Sequence, residues 1–197
     1  MDILVISAGL SQPSSTRMLA DRLTDAAVRH LGNHDQDAEV TTVELRDLAI
    51  DVTNKLVSQY TSPALERALA HVRSADALVV VSPIFNGSMS GLFKMFFDLV
   101  PPDDLAGTPV LLGATGGTPR HSLAIEHGLR PMFAYLRALT VPTSVYAATD
   151  DWGADSTLGV RIDRAGADLA AVLVRSPRPE RVDPYEEVTP FSTLLGG

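Results

Sequence analysis

Apolar residues along the chain fall into runs of two kinds. The unbroken run Ile3-Leu4-Val5-Ile6, within residues 2–7 and closed by Ser-Ala-Gly, fits a parallel strand covered on both faces. Over residues 14–31 the apolar positions Met18, Leu19, Leu23, Ala26, Ala27 and Leu31 recur at helical spacing, with polar residues between them. The two patterns then alternate. Residues 40–45 read as a second strand, followed by an irregular stretch and a helix over 63–72 that carries Pro63 in its first turn. Residues 77–81 are the clearest buried strand, stopped by Ser82-Pro83, and a helix rich in Phe and Met over 90–99 is ended by Pro101-Pro102. The apolar run 108–114 closes at Gly116-Gly117, helical periodicity returns over 120–139 except at Pro131, a fifth strand covers 141–148, and a last helix covers 157–173.

Strict alternation of strand and helix implies an α/β domain over residues 1–175, with a parallel sheet and helices on both faces, because each crossover must carry the chain back across the sheet. Residues 176–197 contain Pro177, Pro179, Pro184 and Pro190 among acidic residues and read as an extended tail. The apolar end of that tail, 191–195, is suited to docking on this subunit or a neighbour.

Composition narrows the chemistry. Lys and Arg total 16 against 24 Asp and Glu, a net charge of −8, and no basic run forms a track for a phosphate backbone, so nucleic acid is a poor partner. With no cysteine there is no disulfide framework, thiolate metal site or thiol catalysis, and redox chemistry needs a borrowed cofactor. The first apolar run is too short for a signal peptide, and no stretch approaches the ~20 apolar residues of a membrane span. The expectation is a cytoplasmic protein without a membrane partner.

In parallel sheets ligands bind beyond the carboxyl ends of the strands, where the strand order reverses. Three loops there carry candidate chemistry. The first, Ser7-Ala8-Gly9-Leu10-Ser11-Gln12-Pro13-Ser14-Ser15-Thr16-Arg17, sets hydroxyls and free backbone N–H groups at a helix N-terminus, a site for a phosphate. Ser14 or Ser15 acting merely as a helix cap is the plain alternative, and Ser11, Thr16 and Arg17 tilt the reading toward the anion. The second loop, Ser82-Pro83-Ile84-Phe85-Asn86-Gly87, joins a rigid turn to apolar surface and an amide, a mixture that suits a flat heteroaromatic ring, although Phe85 also reads as core. The third, Thr115-Gly116-Gly117-Thr118, lets backbone N–H groups approach a ligand, although paired glycines are often a simple turn. These loops follow strands one, three and four, which adjoin in a flavodoxin-like order 2-1-3-4-5, so all three converge on one crevice. Hydrolase readings fail: in Gly87-Ser88-Met89-Ser90-Gly91 the nucleophile position is methionine, and no zinc-ligand cluster is present.

The chain resembles the NAD(P)H-dependent FMN reductase family, particularly the reductase components of two-component flavin monooxygenases such as the alkanesulfonate systems. The likeness runs from residue 2 to about 148, on the hydroxyl loop after the first strand, Ser82-Pro83-Ile84-Phe85-Asn86-Gly87 with Ser90-Gly91-Leu92-Phe93-Lys94, and Ala114-Thr115-Gly116-Gly117-Thr118 followed by His121. It implies a flavodoxin-like three-layer sandwich with a five-stranded sheet and FMN as cofactor. The phosphate would lie on Ser11, Ser14, Ser15 and Thr16 with Arg17 helping to neutralise it, and the ring on Pro83, Ile84, Phe85, Asn86, Gly87 and Thr115, Gly116, Gly117, Thr118. It also implies direct hydride transfer from NAD(P)H, with no general acid or base, and delivery of reduced FMN to a monooxygenase. Arg120 reads equally as a contact for a pyridine-nucleotide phosphate and as a solvated arginine, and His121 lies beside it. His127 reads as a surface or packing histidine, whereas the resemblance implies a locally widened helix turn there, at a subunit interface.

Gln12-Pro13 stands where many relatives have a basic residue, which weakens charge compensation and suits a protein that releases its flavin. Phe93, Phe96, Phe97, Leu99 and Val100, with Met132, Phe133, Tyr135, Leu136 and Leu139, exceed what one helix face against a sheet needs, although such a stripe is more often simply core. With the resemblance they imply a homodimer or homotetramer. A quinone or azo-dye reductase that retains FMN, and a non-enzymatic electron carrier of the flavodoxin kind, are the alternative functions.

Overall fold

The computed structural model describes residues 1–153 and 157–175. Its centre is β1 (Asp2–Ser7), which pairs in parallel with β2 (Glu39–Glu44) on one side and β3 (Ala77–Phe85) on the other. β3 pairs in parallel with β5 (Pro109–Gly116), which carries β6 (Leu139–Thr140) beside its start and β7 (Val145–Ala148) beside its end. Counting β6 and β7 as one interrupted outer strand, the order is the flavodoxin-like 2-1-3-4-5 expected from the loops.

Alternate residues of each strand feed two cores. Ile3, Val5, Val79 and Leu111 face α1 (Ser15–Gly32) and α6 (Leu158–Arg175). Leu4, Ile6, Leu78 and Val80 face the opposite core, which includes residues of α2 (Ala49–Ser58), α3 (Pro63–Ser74), α4 (Gly91–Phe97) and α5 (Arg130–Tyr135). The result is a three-layer sandwich whose β1, β3, β5 and β7 all end at one rim.

Phe93, Phe97 and Phe133 meet in that second core at ring-centroid separations of 4.8 to 6.3 Å, and each is essentially inaccessible. Burial of a side chain of that size contributes about 1.5–3 kcal/mol. The aromatic residues of α4 and Phe133 are therefore core rather than surplus apolar surface. What remains outside is Tyr135, 78% exposed, and Leu139, 47% exposed.

Several elements depart from the sequence reading. The stretch after β2 is helical, with a 3-10 turn at Leu45–Leu48 leading into α2. β3 does not stop at Ser82-Pro83 but runs to Phe85 and turns back into β4 (Ser88–Met89). β1 ends at Ser7 opposite Val81, so beyond that point β3 has a parallel partner on the β5 side alone, an edge-like setting in which proline is tolerated. The helix expected over 120–139 is a 3-10 turn at Pro119–His121, a π-helical turn at Ile125–Leu129 and the short α5. Pro131 lacks the N–H that the preceding turn would use, and the chain widens there. The fifth strand is split around Pro142 into β6 and β7. The extended tail expected over 176–197 lies outside the described residues.

Candidate active site

The first wall of the site is the start of α1. Ser14 is the N-cap, its Oγ accepting from the Arg17 N–H at 3.2 Å, so the capping duty falls on one hydroxyl and leaves Ser11 and Ser15 exposed. No acidic residue sits in the first turn of this 18-residue helix, so its positive end is uncompensated. The loop is held from outside the pocket. Arg46 donates from Nη1 to the Ser11 carbonyl at 2.9 Å, and the Glu44 carboxylate holds Arg46 at 2.9 Å and Arg17 at 2.8 Å. Arg17 also meets Asp21 at 2.6 Å, a hydrogen bond that is the main cause raising its pKa. Its guanidinium is committed to these carboxylates and does not line the pocket.

The second wall is the end of β3. Asn86 and Gly87 have φ of 50° and 83°, the left-handed pair that a two-residue hairpin turn demands and that Asn-Gly supplies most readily. Ser82 Oγ accepts from the Ser90 N–H at 3.0 Å and donates to the Pro83 carbonyl at 2.9 Å, closing the base of this excursion. Pro83 and Ile84 are buried and Phe85, 49% exposed, stands at the tip.

The third wall is the end of β5. Thr115 Oγ1 lies 2.8 Å from Thr16 Oγ1, joining this wall to the first. A Cβ on Gly116 would fall 2.1 Å from the Tyr146 hydroxyl, so only glycine fits over that ring. The same hydroxyl donates to the Thr118 carbonyl at 2.7 Å and fixes the course of the loop. Burial, and secondarily Asp151, raises the Tyr146 pKa and keeps it a donor. Asp151 in turn accepts the Ala148 N–H at 2.8 Å and pairs with Arg161 at 2.9 Å, shaping the turn that presents Thr149.

Together these walls enclose a pocket of about 450 Å³, lined by Ser11, Ser15, Thr16, Pro83, Ile84, Phe85, Thr115, Gly116 and Gly117, with Leu10 and Thr149. Among the described residues, none that lines the pocket is charged. Leu10 lies within the first candidate loop but is not singled out from sequence as a contact, and Thr149 is not named, although it directly follows β7, at the carboxyl rim where ligands are sought. Other candidates lie off the lining. Ser14 caps, Asn86 and Gly87 make the hairpin turn, and Thr118 accepts the Arg120 N–H at 3.4 Å. Arg120 and His121 are exposed on the 3-10 turn after the third wall, and exposed His127 sits within the π-helical turn.

These walls fit a phosphorylated ring compound. Hydroxyls at a long helix's N-terminus suit a phosphate, Phe85 and Ile84 suit a flat apolar face, and beside Gly117 the space a Cβ would occupy is open for a ligand's polar edge. Fold and pocket define a flavodoxin-like nucleotide-binding protein of the flavin type.

The family model described as NADPH-dependent FMN reductase matches residues 1–153, and the chain belongs to that family of oxidoreductases. It is 37% identical over 177 residues to the NADH-dependent FMN reductase SfnF of Pseudomonas fluorescens, covering 88% of this chain and 91% of that one. Against the FMN reductase (NADPH) of Pseudomonas aeruginosa it is 39% identical over 150 residues, 76% of this chain and 78% of that protein. The crystal structure of an oxidoreductase from Corynebacterium diphtheriae superimposes with a TM-score of 0.86 at 40% identity, covering 89% of this chain and 97% of that one.

Proposed function

We propose that this chain reduces FMN with NAD(P)H at the rim pocket and passes the reduced flavin to a monooxygenase. The observation that carries the reading is the meeting of three walls, distant in sequence, around one uncharged pocket with hydroxyls at one side and an exposed aromatic residue at the other. FMN, when bound, supplies the two-electron acceptor that takes a hydride from the nicotinamide. The protein's own share is placement. Ser11, Ser15 and Thr16 with the α1 N-terminus hold the phosphate, while Pro83, Ile84, Phe85 and the Thr115-Gly116-Gly117 backbone seat the ring. Among the described residues, no side chain that lines the pocket is a carboxylate, imidazole or amine, and their contribution to rate is proximity and orientation. Exposure of Arg120 and His121 beside the third wall supports a role for them in meeting the nucleotide's phosphates. The chain works in the cytoplasm as a homo-oligomer, joined through the α4–α5 face where Tyr135 is exposed.

The test is spectrophotometric. Purified protein is expected to oxidise NADH or NADPH rapidly once FMN is added, and to release reduced FMN to a flavin-dependent monooxygenase in a coupled assay. Binding of FMN without nucleotide oxidation by either donor would move the protein to the electron carriers. Fast transfer to quinones from an FMN that survives dialysis would make it a quinone reductase.

A further inference from the structure

Thr16 and Thr115 are 99 residues apart in the chain, yet their hydroxyl oxygens are 2.8 Å apart. Both side chains are only 3% exposed and both belong to the pocket wall. Two hydroxyls bring two protons to a contact that uses one, and either oxygen can be the donor. Among the described residues, neither hydroxyl has a hydrogen-bond partner in the protein other than its neighbour. The direction of the bond is therefore left for a ligand to decide.

A phosphate can decide it. The anion accepts from Thr16, which lies in the first turn of α1, and Thr16 can then engage its neighbour only as an acceptor. The Thr115 proton is then fixed on Thr16, and the lone pairs of Thr115 are left as acceptors. In such a chain each bond polarises the next, so Thr115 strengthens the hydrogen bond that Thr16 gives to the anion.

We propose that the Thr16–Thr115 pair is a hydroxyl relay that reads the phosphate, with Thr115 as the positioning residue that sets the preference for phosphorylated over unphosphorylated flavin. The inference rests on the reading of this pocket as the FMN site. It assigns selectivity to a residue on the wall that adjoins the anion position.

The test compares dissociation constants for FMN and riboflavin, read from quenching of flavin fluorescence. The proteins are the full chain, Thr115→Val, Thr115→Ser, Thr16→Val and the double valine variant, which keeps both side-chain shapes and leaves no lone buried hydroxyl. Thr115→Val is expected to lower the preference for FMN about tenfold, and Thr115→Ser to retain it. Once Thr16 is valine, the second valine is expected to change the preference by less than about twofold. If Thr115→Val weakens FMN and riboflavin equally while Thr16→Val still costs FMN its preference, the relay is overturned and the phosphate reading stands. If Thr16→Val leaves the preference unchanged in a protein whose thermal midpoint matches the parent, the relay is overturned, and the phosphate reading falls with it only if Ser11→Ala and Ser15→Ala also leave the preference unchanged.

Discussion

Gly116 and Tyr146 are a mutually dependent pair, since the phenol occupies the space that a Cβ would need and also carries the hydrogen bond that fixes Thr118. We expect Gly116→Ala to cost about 1–3 kcal/mol of stability by overpacking, and to weaken FMN binding because Gly116 lines the pocket. Tyr146→Phe alone is expected to cost about 0.5–1.5 kcal/mol for the lost hydrogen bond. The two costs should not add. In the phenylalanine background the 2.1 Å contact is gone and the next atom lies at 3.2 Å, so a double-mutant cycle in urea should show the alanine better tolerated. The phenol's raised pKa has a definite pH signature. Its contribution is complete below the ordinary tyrosine value near pH ~10 and is lost as the pH rises through the folded value. Alkaline unfolding of Tyr146→Phe should lack that component.

Among the elements, the π-helical turn and the break in the outer strand are tied together by one arginine. Arg130 reaches Glu126 at 2.6 Å, Thr140 Oγ1 at 3.0 Å and the Val141 carbonyl at 3.1 Å, while Ser144 donates to Glu126 at 3.0 Å. The hydrogen bond from Arg130, with that from Ser144, holds the Glu126 carboxyl below its ordinary range. We expect Arg130→Met to lower stability at neutral pH by about 1–3 kcal/mol, mostly through the Thr140 and Val141 bonds, because Glu126 is 43% exposed and its ion pair is screened. The carboxylate's share is present above the ordinary value near ~4.3 and disappears as the pH falls through the depressed one. Denaturant titrations should therefore show the gap between variant and parent narrowing in acid. Apolar periodicity over 120–139 predicts one helix because each of its 3-10, π and α segments is too short to display a period of its own, whereas the widened turn at His127 is what the family resemblance implies. Pro131 and Pro142 carried the missing information, as residues that withhold an N–H. The helix α2 escaped notice because it buries Val52 completely but leaves Ile50 and Val57 exposed, which blurs its apolar face. The strands β1 and β5 and the helix α1 were legible because their apolar runs are unbroken or cleanly spaced. Nine of the pocket's lining residues were named from sequence, since loops after adjacent parallel strands must meet. The two that were not, Leu10 and Thr149, carry no distinctive chemistry of their own.

For the molecule as a whole, a groove of about 650 Å³ lies between α4 and α5, where Met132 and the exposed Tyr135 stand over Leu136, Leu99 and Val100. With Tyr135 78% exposed, Tyr135→Asp is expected to shift the protein toward monomer in sedimentation velocity while leaving the FMN dissociation constant within about twofold, since the pocket lies at the rim. The same tertiary plan governs behaviour at high concentration. Among the described residues neither margin of the sheet has a further strand, and an open margin offers unpaired backbone to any passing extended segment. On one side the interruption at Pro142 leaves two stubs of two and four residues, too short and too misaligned to template growth. On the other, β2 begins with the exposed Glu39, which sets a negative charge at the start of that margin, while Glu44 at its end is engaged by Arg17 and Arg46. The break that lets a proline into the outer strand thus also shields the protein against stacking edge to edge.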